Sequence, residues 1–180
     1  MKTFIALLRG INVGGNNVLP MRDFVGLLES LGSRDVRTYI QSGNAVFSHK
    51  ENNAAALANR IRAKIKQGHG FEPHVLLLAL KDMQKAIAEN PFPEAEAEPK
   101  SLHLFFLDST PSNPDLKTLE SIQRDSERFR LTDTVFYLHA PDGIGKSKLA
   151  ARVEKSLGVA ATARNWRTVC EIMAMAQHRA

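Results

Sequence analysis

Phe4-Ile5-Ala6-Leu7-Leu8-Arg9-Gly10-Ile11-Asn12-Val13-Gly14-Gly15, followed by Pro20-Met21-Arg22-Asp23, is the stretch from which the fold can be read. The apolar run over residues 4–8 predicts a buried strand. Pro20 suits a first helical turn, and Met21, Phe24, Leu27, Leu28 and Leu31 recur behind it at helical spacing. Between the two elements, Arg9–Gly15 carries three glycines, an arginine and an asparagine. Backbone N–H groups of such a loop can converge on an anion, and a helix N-terminus adds to the attraction. A loop that only needs glycine to turn sharply is the competing reading. The spacing also departs from the dinucleotide fingerprint, which requires G-x-G-x-x-G.

Outward from this point the elements follow in a recognisable order. Gly32 suits a left-handed helix end. Residues 36–41 alternate and are rich in β-formers, Ser42-Gly43-Asn44 reads as a tight turn, and residues 45–48 return as a second strand. Asn52 or Asn53 can cap a helix with Leu57, Ile61 and Ile65 on one stripe and Gly68 as its stop, and residues 73–78 form another strand. Strand, helix, strand, strand, helix, strand is the ferredoxin-like order. A short helix from Lys81 to near Asn90 follows. The acidic, proline-rich residues 91–99 read as a linker.

The second half repeats the order. Residues 102–107 predict a strand, and Asn113 or Asp115 opens a helix carrying Leu116, Leu119 and Ile122. Residues 128–131 and 135–139 predict a hairpin. Ser147 opens a helix ended by Gly158, residues 159–163 form a last strand, and Asn165 caps a final helix bearing Trp166, Val169, Ile172 and Met173. The expected fold class is therefore α+β, with two tandem ferredoxin-like (βαββαβ) α/β-plait units and an additional C-terminal helix. The expected domains are 1–90 and 100–180, joined by 91–99. The first strand of each half is apolar on both alternating faces (Ile5 and Leu7 with Ala6 and Leu8; Leu104 and Phe106 with Phe105 and Leu107). A sheet with one wet face should alternate apolar and polar, so cover is expected on both sides, from the other half or from a second copy of the chain.

Composition narrows the function classes. The chain of 180 residues is 43% hydrophobic and 24% charged, which suits a packed globular protein and excludes a disordered one. One cysteine, Cys170, excludes disulfide scaffolds and cysteine-rich metal sites. No run of about 18 apolar residues exists, and Met1-Lys2-Thr3 leads straight into a strand, so a soluble cytoplasmic protein is expected, with no membrane partner. The formal charge of +5 is uneven. Residues 1–90 carry 12 basic and 7 acidic groups, residues 91–140 carry 5 and 9, and residues 141–180 carry 7 and 3. The glycine-rich loops thus lie in the basic regions, which agrees with an anionic ligand, although a basic surface is often only a solvated face.

Four stretches offer polar or basic groups beside turns, and together they supply the candidate ligand-binding residues. The opening loop contributes Arg9, Gly10, Asn12, Gly14 and Gly15; the next turn contributes Gln41, Ser42 and Asn44. Pro141-Asp142-Gly143-Ile144-Gly145-Lys146-Ser147-Lys148 contributes Lys146, Ser147 and Lys148, and Thr162-Ala163-Arg164-Asn165-Trp166 contributes Arg164, Asn165 and Trp166. Gly145-Lys146-Ser147 is not a P-loop, because position 140 is alanine where that motif needs glycine. Each stretch has a structural alternative: hairpin polar groups bonding their own backbone, a capped helix, Trp166 as core.

Catalytic sets are scarce. No G-x-S-x-G elbow occurs, no carboxylate pair stands out, and the six histidines lack metal-ligand spacing. Cys170, inside a helix, reads as core. His139, beside the lysine loop, is the histidine to watch. Arg60, Arg62, Lys64 and Lys66 alternate along a helix and so point to different sides of it, as a solvated surface does.

The four stretches, Leu7–Gly15, Arg37–Asn44, Tyr137–Lys148 and Thr162–Trp166, resemble a bacterial family known as domain of unknown function 1697. The match keeps the family's motif order and implies two α/β-plait units in tandem. It implies no substrate, cofactor, metal or catalytic residue, so whether the protein is an enzyme stays open. Where the family often has lysines after the double glycine, this chain has Asn16, Asn17 and Val18, which weakens the case for a strongly anionic ligand there. The leading expectation is a phosphate-bearing small molecule or nucleotide held by the glycine-rich loops. Nucleic-acid binding, a structural or regulatory homodimer, and an enzyme with an unidentified site are the alternatives.

Overall fold

The computed structural model describes residues 1–178. The first βαββαβ pattern comprises β1 (Lys2–Arg9), α1 (Met21–Ser30), β2 (Arg34–Tyr39), β3 (Asn44–His49), α2 (Ala54–His69) and β4 (His74–Ala79). After α3 (Leu80–Ala88) and a 3₁₀ turn (Pro93–Ala97), the second comprises β5 (Leu102–Leu107), α4 (Leu116–Ile122), β6 (Arg128–Leu131), β7 (Val135–His139), α5 (Lys148–Leu157) and β8 (Ala161–Asn165). The final helix, α6, spans Trp166–Gln177. The sheets are antiparallel, with strand orders β2-β3-β1-β4 and β6-β7-β5-β8. These are the ferredoxin-like orders, so the fold is two tandem ferredoxin-like units with a C-terminal helix.

Contacts divide the described residues into two compact units, residues 1–85 together with 170–178, and residues 86–169. The divisions fall inside α3 and α6 rather than in the acidic stretch. Linkers make few contacts, whereas here Phe92, just before the 3₁₀ turn, and Ala95, within it, are buried.

In the first unit Phe4, Ala6, Leu8, Ala45 and Phe47 pack against Phe24, Leu28, Leu57 and Ile61 of α1 and α2. Strand geometry sends the intervening residues to the other face. Ile5, Leu7 and Val46 are nevertheless fully buried, as are Leu104 and Tyr137 at equivalent places in the second sheet. Both faces of both sheets are therefore covered. In the second unit Phe105, Phe136 and Leu138 pack against Leu119 of α4 and Leu149 and Val153 of α5. On the opposite face the buried Tyr137 hydroxyl donates to Ala86 O of α3 at 2.7 Å.

Local chemistry explains the ends. Asn53, Asp115 and Ser147 cap α2, α4 and α5, each accepting from a backbone N–H three residues on. Several details differ from the sequence expectation. Gly68 stays helical, and the left-handed turn falls at Gly70. The last strand lies at Ala161–Asn165 and runs straight into α6, so Asn165 both ends a strand and accepts from Thr168 N at 2.9 Å. Cys170 is exposed rather than core, because the buried stripe of α6 is Trp166, Val169, Ile172, Met173 and Ala176.

Ile40, between β2 and β3, has φ +47° and is 53% exposed. A β-branched residue in the left-handed region is strained, and little packing offsets the cost here. Ile40→Asn, whose side chain tolerates that backbone, is expected to raise stability by about 0.5–1 kcal/mol. Urea unfolding checks this; a lower midpoint would contradict it.

Candidate functional site

The two glycine-rich stretches of the first unit meet. Val13 and Asn16 bridge across Gly14 and Gly15, whose φ values of +56° and +76° are those of a type I′ turn, which glycine adopts without strain. Asn12 Nδ2 donates to Leu19 O at 2.9 Å and to Gln41 O at 2.7 Å, and its Oδ1 accepts from Leu19 N at 2.8 Å. Asn17 Nδ2 donates to Gly10 O at 2.8 Å. The buried Asn44 donates to Tyr39 O at 3.1 Å and to Ser42 Oγ at 2.9 Å. Asn12 thus ties the two loops to each other, while Asn17 and Asn44 each brace their own loop. Arg9, Gly14, Gly15 and Gln41 lie exposed on the surface so formed.

In the second unit three strand ends build a cleft. Leu102 pairs with His139, and Ala140 N donates to Ser101 O at 2.8 Å, which extends the β5–β7 ladder toward Pro141. On the other side of β5, His103 pairs with Asn165, so the start of α6 falls at the same end of the sheet. The result is a hollow of about 330 Å³. Glu98, Pro99, Lys100 and Ser101 line it from the segment entering β5, Pro141 and Gly143 from the loop after β7, and Arg167 from the first turn of α6. Two cations and one carboxylate leave the lining with a formal charge of +1.

The structure therefore links the loop at Gly143 with the segment Arg164–Trp166 through Arg167, one residue beyond the motif. Of the residues expected there, Ser147 is buried and caps α5, Asn165 caps α6, and Trp166 is buried. Lys146 is exposed, and Lys148 lines a separate hollow of about 360 Å³ with Arg152. Arg164 is level with Leu104, on the sheet face away from α4 and α5. Its Nη1 donates to Ala163 O at 2.8 Å, and burial lowers its pKa to about 10, which leaves it charged at neutral pH. Lys100 and Arg167 escaped sequence reasoning. Lys100 directly follows a stretch that looked like linker, and Arg167 lies inside a helix by pattern. The one available signal was a cation in the first turn of a helix, directly after Arg164-Asn165-Trp166.

Two histidines flank this region. His103 is buried, its Nδ1 has no hydrogen-bond partner among the described residues, and burial pushes its pKa down to about 4. His139 Nδ1 lies 3.2 Å from Arg128 Nη2, and burial together with that guanidinium lowers its pKa. Among the described residues no group of three His, Cys, Asp or Glu side chains is placed to hold a metal ion, and no helix is long and apolar enough to cross a membrane.

A pair of ferredoxin-like units with glycine-rich loops at strand ends defines the class. Residues 1–137 match the family described as protein of unknown function (DUF1697), and the chain belongs to that family. Its fold is similar to that of the conserved bacterial protein SP0830 from Streptococcus pneumoniae, with a TM-score of 0.73, 23% identity and coverage of 97% of this chain and 98% of that one. No curated protein matches.

Proposed function

We propose that the protein binds a phosphate-bearing small molecule or nucleotide, with the phosphate against Lys100 and Arg167. The observation that carries this reading is the 330 Å³ cleft, whose lining brings two cations to the turn at Gly143. Its size falls at the small end of the roughly 300–1,000 Å³ typical of ligand pockets, which favours one phosphate-bearing group over a dinucleotide. Arg167 offers a planar fork suited to phosphate oxygens, and Lys100 a compact charge. Glu98 opposes both, which predicts a preference for ligands that carry a hydrogen-bond donor beside the phosphate. The loops around Arg9 and Gln41 form a surface of the first unit, and no ligand group is assigned to them.

Nucleic-acid binding has less support. Plait modules that bind RNA stack bases on aromatic side chains of an open sheet face, and Ile5, Leu7, Leu104 and Phe106 are buried.

A thermal-shift panel of pyrophosphate, nucleoside mono- and triphosphates, sugar phosphates and a short oligonucleotide tests the reading. A ligand of the native state present at 100 times its Kd stabilises by about 2.7 kcal/mol, a shift of several degrees. The phosphate compounds should raise Tm in proportion to charge and fit. A flat response across the panel would reject the proposal.

A further inference from the structure

We infer that Arg128 is a positioning residue for the cleft, acting through the segment that carries Lys100; the inference rests on the phosphate reading above. Arg128 opens the edge strand β6. Its Nη2 donates to Glu94 Oε1 on the 3₁₀ turn, its guanidinium carbon lies 5.0 Å from the Phe92 ring centroid, and the same nitrogen donates to His139 Nδ1 at 3.2 Å. The imidazole can accept because burial and the neighbouring guanidinium keep it neutral.

From Glu94 the chain has little freedom before it becomes a wall of the cleft. The 3₁₀ turn ends at Ala97, and Asn90 Nδ2 holds Glu96 Oε1 at 2.8 Å. Glu98 O then accepts from both Ser101 N and Ser101 Oγ at 2.8 Å. Glu98, Pro99, Lys100 and Ser101 are the lining residues. One end of this strap is thus fixed by Arg128 and the other by the β5–β7 ladder. The ion pair is half exposed, with side chains 49% and 54% accessible. Such pairs add little to global stability, so loosening this one should move the Lys100 wall before it unfolds the protein.

The test is calorimetric titration of pyrophosphate into the full chain and into Arg128→Gln, Glu94→Gln and the charge-swapped R128E/E94R, with thermal unfolding in parallel. Each single variant should weaken binding by roughly three- to tenfold with Tm nearly unchanged, and the swap should recover most of the loss. A general structural weakening would not be rescued by reversing both charges. Wild-type binding that persists unchanged in both single variants overturns the inference and leaves the phosphate reading standing, as does a swap that fails to recover affinity. A wild-type chain that does not bind pyrophosphate overturns the phosphate reading, and the inference with it.

Discussion

Gly43→Ala is expected to destabilise the first unit by about 3 kcal/mol, the largest effect we foresee for a single methyl group. Two costs add. Gly43 has φ +79°, a backbone that an L-residue adopts at roughly 1–2 kcal/mol. A Cβ built there would also lie 2.6 Å from Leu8 Cβ and 2.8 Å from Ile11 Cδ1. Ile11 could rotate, but Leu8 Cβ is fixed to the central strand, and Leu8 N donates to Gly43 O at 2.8 Å. Relief therefore means parting the turn from β1, which strains the bond from Asn12 to Gln41 as well. Gly14→Ala is the control. It has φ +56° with nothing within 4 Å of the added carbon, so it should cost only the backbone part. Chemical denaturation of the two variants checks the order; equal losses would contradict it.

Acidification from pH 6.5 to pH 4 is expected to remove about 3 kcal/mol of stability through His103. Its ordinary pKa of 6.5 is pushed to about 4 in the fold by burial. The folded state therefore binds fewer protons than the unfolded one throughout that interval. Above pH 6.5 both states are neutral and this group gives no slope. As the pH falls through the window the unfolded chain charges first, and stability drops until the folded imidazole also charges near pH 4. His103→Leu, which removes both the titration and the unpartnered Nδ1, should flatten this part of the profile. Urea unfolding at pH 7, 5.5 and 4.5 measures it. An unchanged slope in the variant would place the loss elsewhere.

The fold was legible because its signals are local and repeated. Met21, Phe24, Leu27 and Leu28 lie on one side of α1 and are all buried, as the 3.6-residue period requires. The apolar pairs in β1 and β5 announced sheets covered on both faces. Where the reading slipped, a long-range partner decided. Phe92 and Ala95 anchor a stretch whose composition suggests a linker, and Arg128, 34 residues from Glu94 in sequence, is what it meets. Gly68 and Gly70 are equally good helix stops by composition; the choice between them rests on Lys66 O accepting from Gly70 N.

The candidate site was legible in a different measure. Polar residues near glycines drew attention to the loops, but most of those side chains serve the backbone. Asn12, Asn17 and Asn44 staple turns, and Ser147 and Asn165 cap helices. Sequence spacing cannot separate a staple from a ligand contact, since both need short polar side chains beside a sharp turn. Lys100 and Arg167 come together only because β5 is central in its sheet, with β7 and β8 on its two sides. That adjacency exists in the fold and not in the motif.

Lys100 and Arg167 are the proposed phosphate contacts. Calorimetric titration of pyrophosphate into the wild-type chain and Arg167→Glu tests this most directly, because the exposed Arg167 can be reversed without disturbing the core. Saturable one-to-one binding is expected for the wild type, weakened by roughly tenfold or more in the variant, with unfolding unchanged. Equal affinity for the two proteins would contradict it.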